Sequence, residues 1–325
     1  MKTSMLMALV AAALQPPGPD APAPPAPTNL TETLDYEDDD SERMTVPVSL
    51  GGHGQYRFIV DTGAERTIVS EELARRLGLQ RSGSATLHST TDVRSVSTVM
   101  LPELGIGRRS VTGVHAPTLG QRNLGAEGLI GVDSLQRAQV RFDFVNQQLT
   151  IAPASERRRQ PWPRDTIVVT AQSRLGRLIV TNASVDGQRV RVIIDTGAQV
   201  SIGNQALRRR LAARGLLRDS RRVRVLSVTG GELDADYVET GRIQVGEIKI
   251  DKMRIAFAPS PVFERLDLND RPALLLGMDA LQLFEEISID FARRQVRFMG
   301  IREPRGDLPA QEGYAHAGRP VPALR

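Results

Sequence analysis

The sequence predicts a mostly β fold that is built from two copies of one unit. The length of 325 residues fits about two domains, the two halves repeat the same motifs in the same order, and short alternating segments lie between the motifs. The segments typical of strands are residues 95–101, 222–228, 237–245 and 248–257. One helical run is predicted behind the first motif of each half, at residues 71–77 and 205–211.

The first repeated motif is an Asp-Thr-Gly-Ala sequence that directly follows an apolar, strand-like run. It occupies residues 61–64 in the first half and residues 195–198 in the second. An acidic residue at the end of a buried strand costs free energy unless it is hydrogen-bonded or takes part in chemistry. The glycine permits a tight turn, and the threonine supplies a hydroxyl that can hold the turn. Each half therefore presents one carboxyl group at the end of a strand.

The second repeated motif is a pair of apolar residues followed by glycine. Residues 129–136 and 275–282 carry it. A predicted strand pair follows in each half, at residues 140–151 and 287–299. The two motifs keep their order while the loops between them differ in length, which is the pattern of a duplicated unit.

The repeat sets the predicted domain boundaries. We expect an N-terminal lobe at residues 44–155 and a C-terminal lobe at residues 165–301. Residues 156–164 are charged and broken by proline, and they are the predicted linker between the lobes.

The two ends of the chain differ in composition from the lobes. Residues 1–14 combine one positive charge with a short apolar run and small residues, as a secretory signal does. We therefore expect an exported protein, periplasmic or associated with the bacterial envelope, and the same segment could hold it near the membrane. Residues 15–43 are rich in proline and alanine and then acidic, so we expect a disordered leader. Residues 302–325 are expected to form a flexible tail.

Composition excludes several other classes of protein. Apolar residues make up 40% and charged residues 25% of the chain, which excludes a wholly disordered or multi-span membrane protein. The chain contains no cysteine, so disulfides, thiolate metal sites and cysteine nucleophiles are excluded. Arginine is abundant, with its densest cluster at residues 208–224, but the near-balance of 42 basic and 38 acidic residues argues against nucleic acid as a partner.

The motifs resemble those of the retropepsin-like aspartic peptidases, the superfamily of the retroviral proteases and pepsin. The doubled Asp-Thr-Gly-Ala and the two apolar-apolar-Gly elements carry the resemblance, which covers about residues 44–152 and 166–300. It implies two closed β units that form a bilobal pseudo-dimer with a cleft between the lobes. It also implies a catalytic pair, Asp61 and Asp195, that shares one proton and activates a water molecule against a peptide bond. Neither a metal nor another cofactor is expected.

The same resemblance implies a supporting role for the residues that follow each aspartate. These residues are Thr62, Gly63, Ala64, Thr196, Gly197 and Ala198. The threonines should exchange hydrogen bonds across the lobe interface, and the glycines should line the water and the substrate backbone.

Two hairpin flaps are expected to cover the cleft, one from each lobe. Their predicted positions are residues 87–93 and 226–233. The predicted tip residues are Ser89, Thr90, Thr91, Thr229, Gly230 and Gly231. The first flap departs from the retroviral pattern because its tip lacks glycine, and we see no flap tyrosine like that of pepsins.

Several other residues are assigned structural roles. Trp162 is predicted to pack the lobes together, and Asp133 and Asp279 are predicted to cap a helix or stabilise a turn. The histidines show no metal-ligand spacing and are assigned to loops or the surface: His53, His88, His115 and His316.

The sequence therefore predicts an exported aspartic endopeptidase that cleaves polypeptides as a monomer with an internal pseudo-dimer. A second hypothesis keeps the chemistry but pairs Asp61 with Asp61 of another chain. A third hypothesis is a non-catalytic peptide-binding or scaffold protein that uses the same cleft.

Overall fold

The computed structural model describes residues 31–39, 43–154 and 162–302 of the chain. The predicted signal segment, the proline-rich part of the leader, most of the linker and nearly all of the predicted tail lie outside the described residues.

The N-terminal lobe is built from short strands with three short helices between them, counted over the described residues. The strands are β1 (Glu32–Asp35), β2 (Glu37–Asp38), β3 (Met44–Leu50), β4 (His53–Val60), β5 (Ile68–Ser70), β6 (Arg81–His88), β7 (Val93–Met100), β8 (Leu104–Ile106), β9 (Arg109–Val111), β10 (His115–Leu119), β11 (Gly128–Ile130), β12 (Ala138–Asp143) and β13 (Gln148–Pro153). The helices are α1 (Glu71–Arg76), α2 (Gln121–Leu124) and α3 (Val132–Leu135).

The C-terminal lobe repeats this arrangement. Its strands are β14 (Ile167–Arg174), β15 (Arg177–Val180), β16 (Ala183–Val185), β17 (Gln188–Arg189), β18 (Arg191–Ile194), β19 (Ile202–Gly203), β20 (Arg218–Leu226), β21 (Glu232–Glu239), β22 (Arg242–Val245), β23 (Ile248–Asp251), β24 (Arg254–Phe257), β25 (Ala273–Leu276), β26 (Phe284–Asp290) and β27 (Gln295–Ile301). Its helices are α4 (Gln205–Ala212), α5 (Pro261–Arg265) and α6 (Met278–Leu281). The mostly β class, the duplication and the two helical runs are as the sequence predicts.

In each lobe the two repeated motifs lie side by side. Strand β4, which leads into the first motif, pairs in parallel with β11, which leads into the second, so that Val60 lies opposite Ile130. Strands β18 and β25 do the same in the other lobe, with Ile194 opposite Leu276. A third strand, β5 or β19, runs antiparallel to the second-motif strand. The pairing explains why two motifs that are distant in sequence recur together.

One sheet runs through both lobes beneath these motifs. Strand β12 of the N-terminal lobe pairs antiparallel with β26 of the C-terminal lobe, from Gln139 opposite Asp290 to Asp143 opposite Glu286. The local strand order is β1-β13-β12-β26-β27-β14. Apolar side chains cover this sheet; Phe142 of β12 is 0% exposed and belongs to a core cluster that draws residues from both lobes. The lobes are therefore joined by main-chain hydrogen bonds and a common core.

The prediction of a disordered leader up to residue 43 is wrong for its last part. Glu32 to Asp35 form β1, which pairs antiparallel with β13, and β2 pairs with β3. Tyr36 between them is 5% exposed. The acidic residues are tolerated because arginines neutralise them: Arg108 donates to Glu32 at 2.6 Å, and Arg43 donates to Asp39. Charge density alone suggested a solvated segment, whereas Arg43 at the end of the leader and Arg108 in the lobe neutralise its acidic residues.

Two predicted strands are each divided in the structure. The segment 237–245 breaks into β21 and β22, and the segment 248–257 breaks into β23 and β24. Lys252 adopts a φ of 55°, in the left-handed region, which ends β23. The chain then turns so that Thr240 N donates to Met253 O at 2.9 Å. At each break two consecutive exposed residues, 241–242 and 251–252, shift the phase of the period-two alternation, and the sequence prediction overlooked this shift.

Candidate active site

Asp61 and Asp195 face each other at the floor of the cleft between the lobes. Each follows the last residue of its strand, β4 or β18, and its amide is held by the neighbouring second-motif strand. Asp61 N donates to Ile130 O at 3.0 Å, and Asp195 N donates to Leu276 O at 3.1 Å. The same pairing therefore fixes the starting point of both loops.

The main chain of each loop turns back to hold its aspartate. Gly63 N and Ala64 N donate to Asp61 Oδ1 at 2.7 and 2.9 Å. Gly197 N donates to Asp195 Oδ1 at 3.0 Å. Such bonds to a carboxylate fix its orientation.

Each glycine of the motif lies against the carboxyl group of the opposite lobe. A Cβ atom built on Gly63 would lie 2.3 Å from Asp195 Cγ, and one on Gly197 would lie 2.2 Å from Asp61 Cγ. Real Cβ atoms do not approach other atoms so closely, so any side chain there would displace the aspartate. Glycine is required because the two loops meet.

The threonines connect the two loops as the resemblance implies. Thr62 Oγ1 donates to Ile194 O at 3.0 Å and accepts from Thr196 N at 3.2 Å. Thr196 Oγ1 donates to Val60 O at 2.7 Å and accepts from Thr62 N at 3.1 Å. Both threonines are buried, at 2% and 1% exposure. This network fixes the separation of the aspartates.

The environment favours the protonated form of both carboxyl groups. Burial raises the pKa of Asp61 above its ordinary value, although hydrogen bonds from Gly63 and Ala64 oppose the increase. Burial, followed by the negative charge of Asp61, raises the pKa of Asp195 to about 7. Two adjacent carboxyl groups of this kind retain one proton between them near neutral pH.

The second motif holds the outer part of each loop. Thr67 Oγ1 donates to Asp133 Oδ1 at 2.8 Å, and Ser201 Oγ donates to Asp279 Oδ1 at 2.7 Å. Of the two roles predicted for Asp133 and Asp279, helix capping is wrong, because Gly131 occupies the N-cap position of α3, as its counterpart does before α6. The other role, stabilising a turn, agrees with these hydrogen bonds. Asp133 and Asp279 each accept hydrogen bonds from an amide and a hydroxyl of the loop that follows Asp61 or Asp195.

Thr67 and Ser201 were not predicted from the sequence. Thr67 follows Asp61 by the same number of residues as Ser201 follows Asp195. Each hydroxyl also accepts from the second-motif glycine, with Gly131 N to Thr67 Oγ1 at 3.2 Å. The matching hydroxyl residue in both halves was the signal that could have revealed them.

Two hairpins project over the aspartates at the predicted flap positions. The first consists of β6 and β7 and turns at residues 89–92, and the second consists of β20 and β21 and turns at residues 227–231. The tips touch: Thr91 Oγ1 donates to Ser227 Oγ at 2.7 Å, and Thr229 Oγ1 donates to Asp92 Oδ1 at 2.8 Å. We call this set of hydrogen bonds the flap latch.

Asp92 is an unpredicted member of the flap latch. Burial raises its pKa, but hydrogen bonds from Ser89, Thr229 and Arg94 outweigh that effect, so the pKa lies below its ordinary value. Its carboxylate therefore stays ionised in moderately acidic solution and remains a good acceptor for the opposite flap.

The flaps and the loops enclose an elongated cleft. Its larger part has a cavity volume of about 460 Å³ and is lined by both aspartates, the first flap, Glu65 and Arg177. A smaller part of about 50 Å³ is lined by Gln199, Arg43 and the second flap. The space is open at the aspartates, as a substrate backbone requires.

The other predicted residues are scattered. His88 lines the larger cavity, whereas the described histidines His53 and His115 lie on other strands. Among the described residues, no group of three acidic or histidine side chains could hold a metal ion. Trp162 lies beneath the guanidinium of Arg297 of β27, with 4.9 Å between the guanidinium carbon and the ring centre.

In the part of the chain that the structure describes, no helix has the length and apolar character that crossing a membrane requires.

Comparison with known families agrees with this geometry. Residues 46–137 match the family described as gag-polyprotein putative aspartyl protease. Residues 181–280 match the family described as aspartyl protease. No curated protein matches the chain. Each match contains one Asp-Thr-Gly-Ala loop and one second motif. The chain therefore belongs to the aspartyl proteases, with two domains of the retropepsin-like type in tandem.

Proposed function

We propose that this chain is an aspartic endopeptidase in which Asp61 and Asp195 of one molecule form the catalytic pair. One observation carries the proposal. The two aspartates lie at the ends of matching loops, each against the glycine of the other loop, beneath two flaps and in an open cleft.

The chemistry follows from the shared proton. The ionised carboxylate removes a proton from a water molecule that attacks the peptide carbonyl carbon, while the protonated carboxyl donates to the carbonyl oxygen. As the tetrahedral intermediate collapses, the carboxyl that took the proton from water passes it to the leaving nitrogen, and the other carboxylate takes back its proton from the hydroxyl group. Asp61 accepts the larger number of the described main-chain hydrogen bonds, which favours its charged form, and Asp195 has the pKa raised to about 7. The pair nevertheless titrates as a unit.

The substrate is proposed to be an extended polypeptide. The cleft lies between two hairpins whose strand edges and tips can contact a peptide main chain from above, while the loops contact it from below. We further propose that the protein acts after export, which residues 1–14 support by their resemblance to a secretory signal.

A peptide-library experiment tests the catalytic proposal. A chain that begins at residue 31 is incubated with the library, and products are identified by mass spectrometry. Asp61→Asn and Asp195→Asn should abolish cleavage, whereas Asp165→Asn, at an exposed site, should not. Cleavage that survives either dyad substitution would disprove the mechanism, and stable capture of uncut peptides would favour a peptide-binding protein.

The same variants distinguish one chain from two. If Asp61 paired with Asp61 of a second molecule, Asp195→Asn would remain active at high protein concentration. We expect Asp195→Asn to be inactive at every concentration, with the active protein eluting as a monomer in light-scattering measurements.

A further inference from the structure

The two halves of the cleft differ in charge although their folds are duplicated. Arg43 precedes Asp61 by the same number of residues as Arg177 precedes Asp195, so the two arginines are counterparts. Both are buried, at 2% and 4% exposure. A buried guanidinium needs a counter-charge and hydrogen-bond acceptors for all its N–H groups. The two arginines meet this need to different degrees.

Arg43 has a buried counter-charge, Asp39. Its Nε and Nη2 donate to Asp39 Oδ2 at 2.9 and 2.5 Å, and Nη2 also donates to Leu124 O at 2.9 Å. Both members of the ion pair are buried. The cavity beside Arg43 is small, about 50 Å³, and Gln199 lines it without adding charge.

Arg177 is compensated only in part. Among the described residues, Arg177 forms an ion pair with Glu65. Arg177 Nη1 lies 3.8 Å from Glu65 Oε1, which is too far for a hydrogen bond. Its Nε and Nη1 atoms are buried without a hydrogen-bond partner among the described residues. Arg177 is therefore a buried cation with unused donors.

Glu65 is already engaged by a second arginine. Arg265 of α5 donates to both oxygens of Glu65, each at 3.2 Å. One carboxylate thus serves two guanidinium groups, and Arg66 and His88 line the same cavity. The catalytic pair contributes one negative charge nearby, which the reaction requires. The larger half of the cleft therefore has an excess of positive charge and a volume of about 460 Å³ that can admit a side chain.

We propose that this half of the cleft is a subsite for an acidic side chain of the substrate, with Arg177 and Arg265 as its specificity-determining residues. The proposal rests on the proposed peptidase function. It also predicts asymmetry: the acidic preference applies on one side of the scissile bond, because Asp39 neutralises the counterpart Arg43 on the other side.

Paired peptides test the proposal. Each pair differs in having Glu or Gln at a single position of a cleaved sequence, and kcat/KM is measured at about pH 6, where a glutamate side chain is ionised. We expect Glu to be preferred by about tenfold on one side of the cleavage site, a typical gain for a charge-assisted hydrogen bond. The preference should shrink at about pH 3.5, where glutamate is mostly protonated.

Three variants test whether the residues of the cleft raise or lower the preference for Glu over Gln. Arg265→Gln should reduce the preference for Glu, and Glu65→Gln, which removes the competing carboxylate, should increase it. Arg242→Gln removes the same charge from a distant, exposed ion pair with Asp251 and should leave the ratio unchanged. Arg265 and Glu65 have partly exposed side chains, so these variants should fold even if a substitution of the buried Arg177 does not.

Two outcomes would overturn the proposal without touching the peptidase function. In the first, cleavage depends on Asp61 and Asp195, but the Glu and Gln peptides are cut at equal rates. In the second, the preference for Glu is unchanged in both Arg265→Gln and Glu65→Gln. If no peptide is cut, the peptidase function fails separately. In that case the binding of the same peptide pairs to the Asp195→Asn protein is measured by fluorescence anisotropy, and the result decides whether the subsite exists. About tenfold tighter binding of the Glu peptide supports the subsite, and equal or undetectable binding contradicts it.

Discussion

The hydroxyl of Thr62 donates to the carbonyl oxygen of Ile194, the residue before Asp195. In the same way, the hydroxyl of Thr196 donates to the carbonyl oxygen of Val60, the residue before Asp61. The distances are 3.0 Å to Ile194 O and 2.7 Å to Val60 O. Each hydroxyl also accepts from the opposite threonine's amide. The two loops therefore satisfy one another's buried polar groups, and neither is complete without its counterpart.

Replacement of Thr62 by valine should damage both loops. Thr62→Val keeps the shape of the side chain but leaves the Ile194 carbonyl and the Thr196 amide buried without their partner, at a cost of about 1–3 kcal/mol in the free energy of unfolding. Urea denaturation measures this cost, and peptide cleavage should fall with it. Thr62→Ser, which retains the hydroxyl, should recover most of both quantities. Equal stability of the two variants would contradict the prediction.

A methyl group on Gly63 should disable the catalytic pair. Gly63→Ala places Cβ only 2.3 Å from Asp195 Cγ, so the opposite carboxyl has to move. Because a displacement of about 1 Å costs roughly a hundredfold in rate, kcat should fall by at least that factor. The control is Gly120→Ala in the same lobe, where the nearest atom would lie 4.0 Å away. Comparable losses of kcat in both variants would refute the steric explanation.

The rate of cleavage should show a bell-shaped dependence on pH. Activity requires one proton on the pair, and the pKa of Asp195 is raised to about 7. As the pH rises through that value the proton is lost and kcat should fall. As the pH falls through the raised pKa of Asp61, both groups become protonated and no base remains. A rate that still increases in clearly alkaline solution would be inconsistent with this assignment.

Weakening the flap latch should affect substrate binding more than chemistry. Thr229→Val removes the hydrogen bonds from Thr229 Oγ1 to Asp92 and Ser89. The lost hydrogen bonds are worth about 1 kcal/mol, so the ratio of closed to open molecules should fall roughly fivefold. KM should rise with little change in kcat, and amides of both hairpins should exchange with deuterium faster. Thr229→Ser serves as the control; unchanged exchange in Thr229→Val would argue against a latch.

Removal of the first two strands should destabilise the N-terminal lobe. A chain that begins at residue 43 lacks Tyr36 and Asp39, so it loses a buried aromatic side chain and leaves Arg43 without its counter-charge. The free energy of unfolding should fall by about 3 kcal/mol or more. A chain that begins at residue 31 keeps these contacts and is the reference. Equal thermal unfolding temperatures for the two chains would show that the strands add nothing.

The parts of the site that recur in both halves were predictable. A duplicated motif repeats the same local chemistry, so Asp61, Thr62 and Gly63 could be identified with their counterparts, and the flap hairpins could be placed between the two motifs. Thr67 was within reach of the same comparison, because Ser201 occupies the matching position.

The parts that differ between the halves could not be predicted. The role of Glu32 depends on Arg108, which lies 76 residues further along the chain, and a run of acidic residues carries no sign of that partner. The flap latch depends on how two hairpins meet across the cleft. In each case tertiary contacts decide the structure.

The pairing of β12 with β26 bears on the activity that the protease keeps at low protein concentration. A peptidase assembled from two separate chains loses its catalytic pair whenever the chains dissociate, so its specific activity falls on dilution. Here a continuous polypeptide and an unbroken sheet hold Asp61 beside Asp195, and the local concentration of one carboxyl at the other is independent of how much protein is present. A few molecules in a large compartment would each be fully assembled. Joining the copies also freed them to diverge, so that Glu65 and Gln199 can differ where a symmetric dimer would have had to keep them alike.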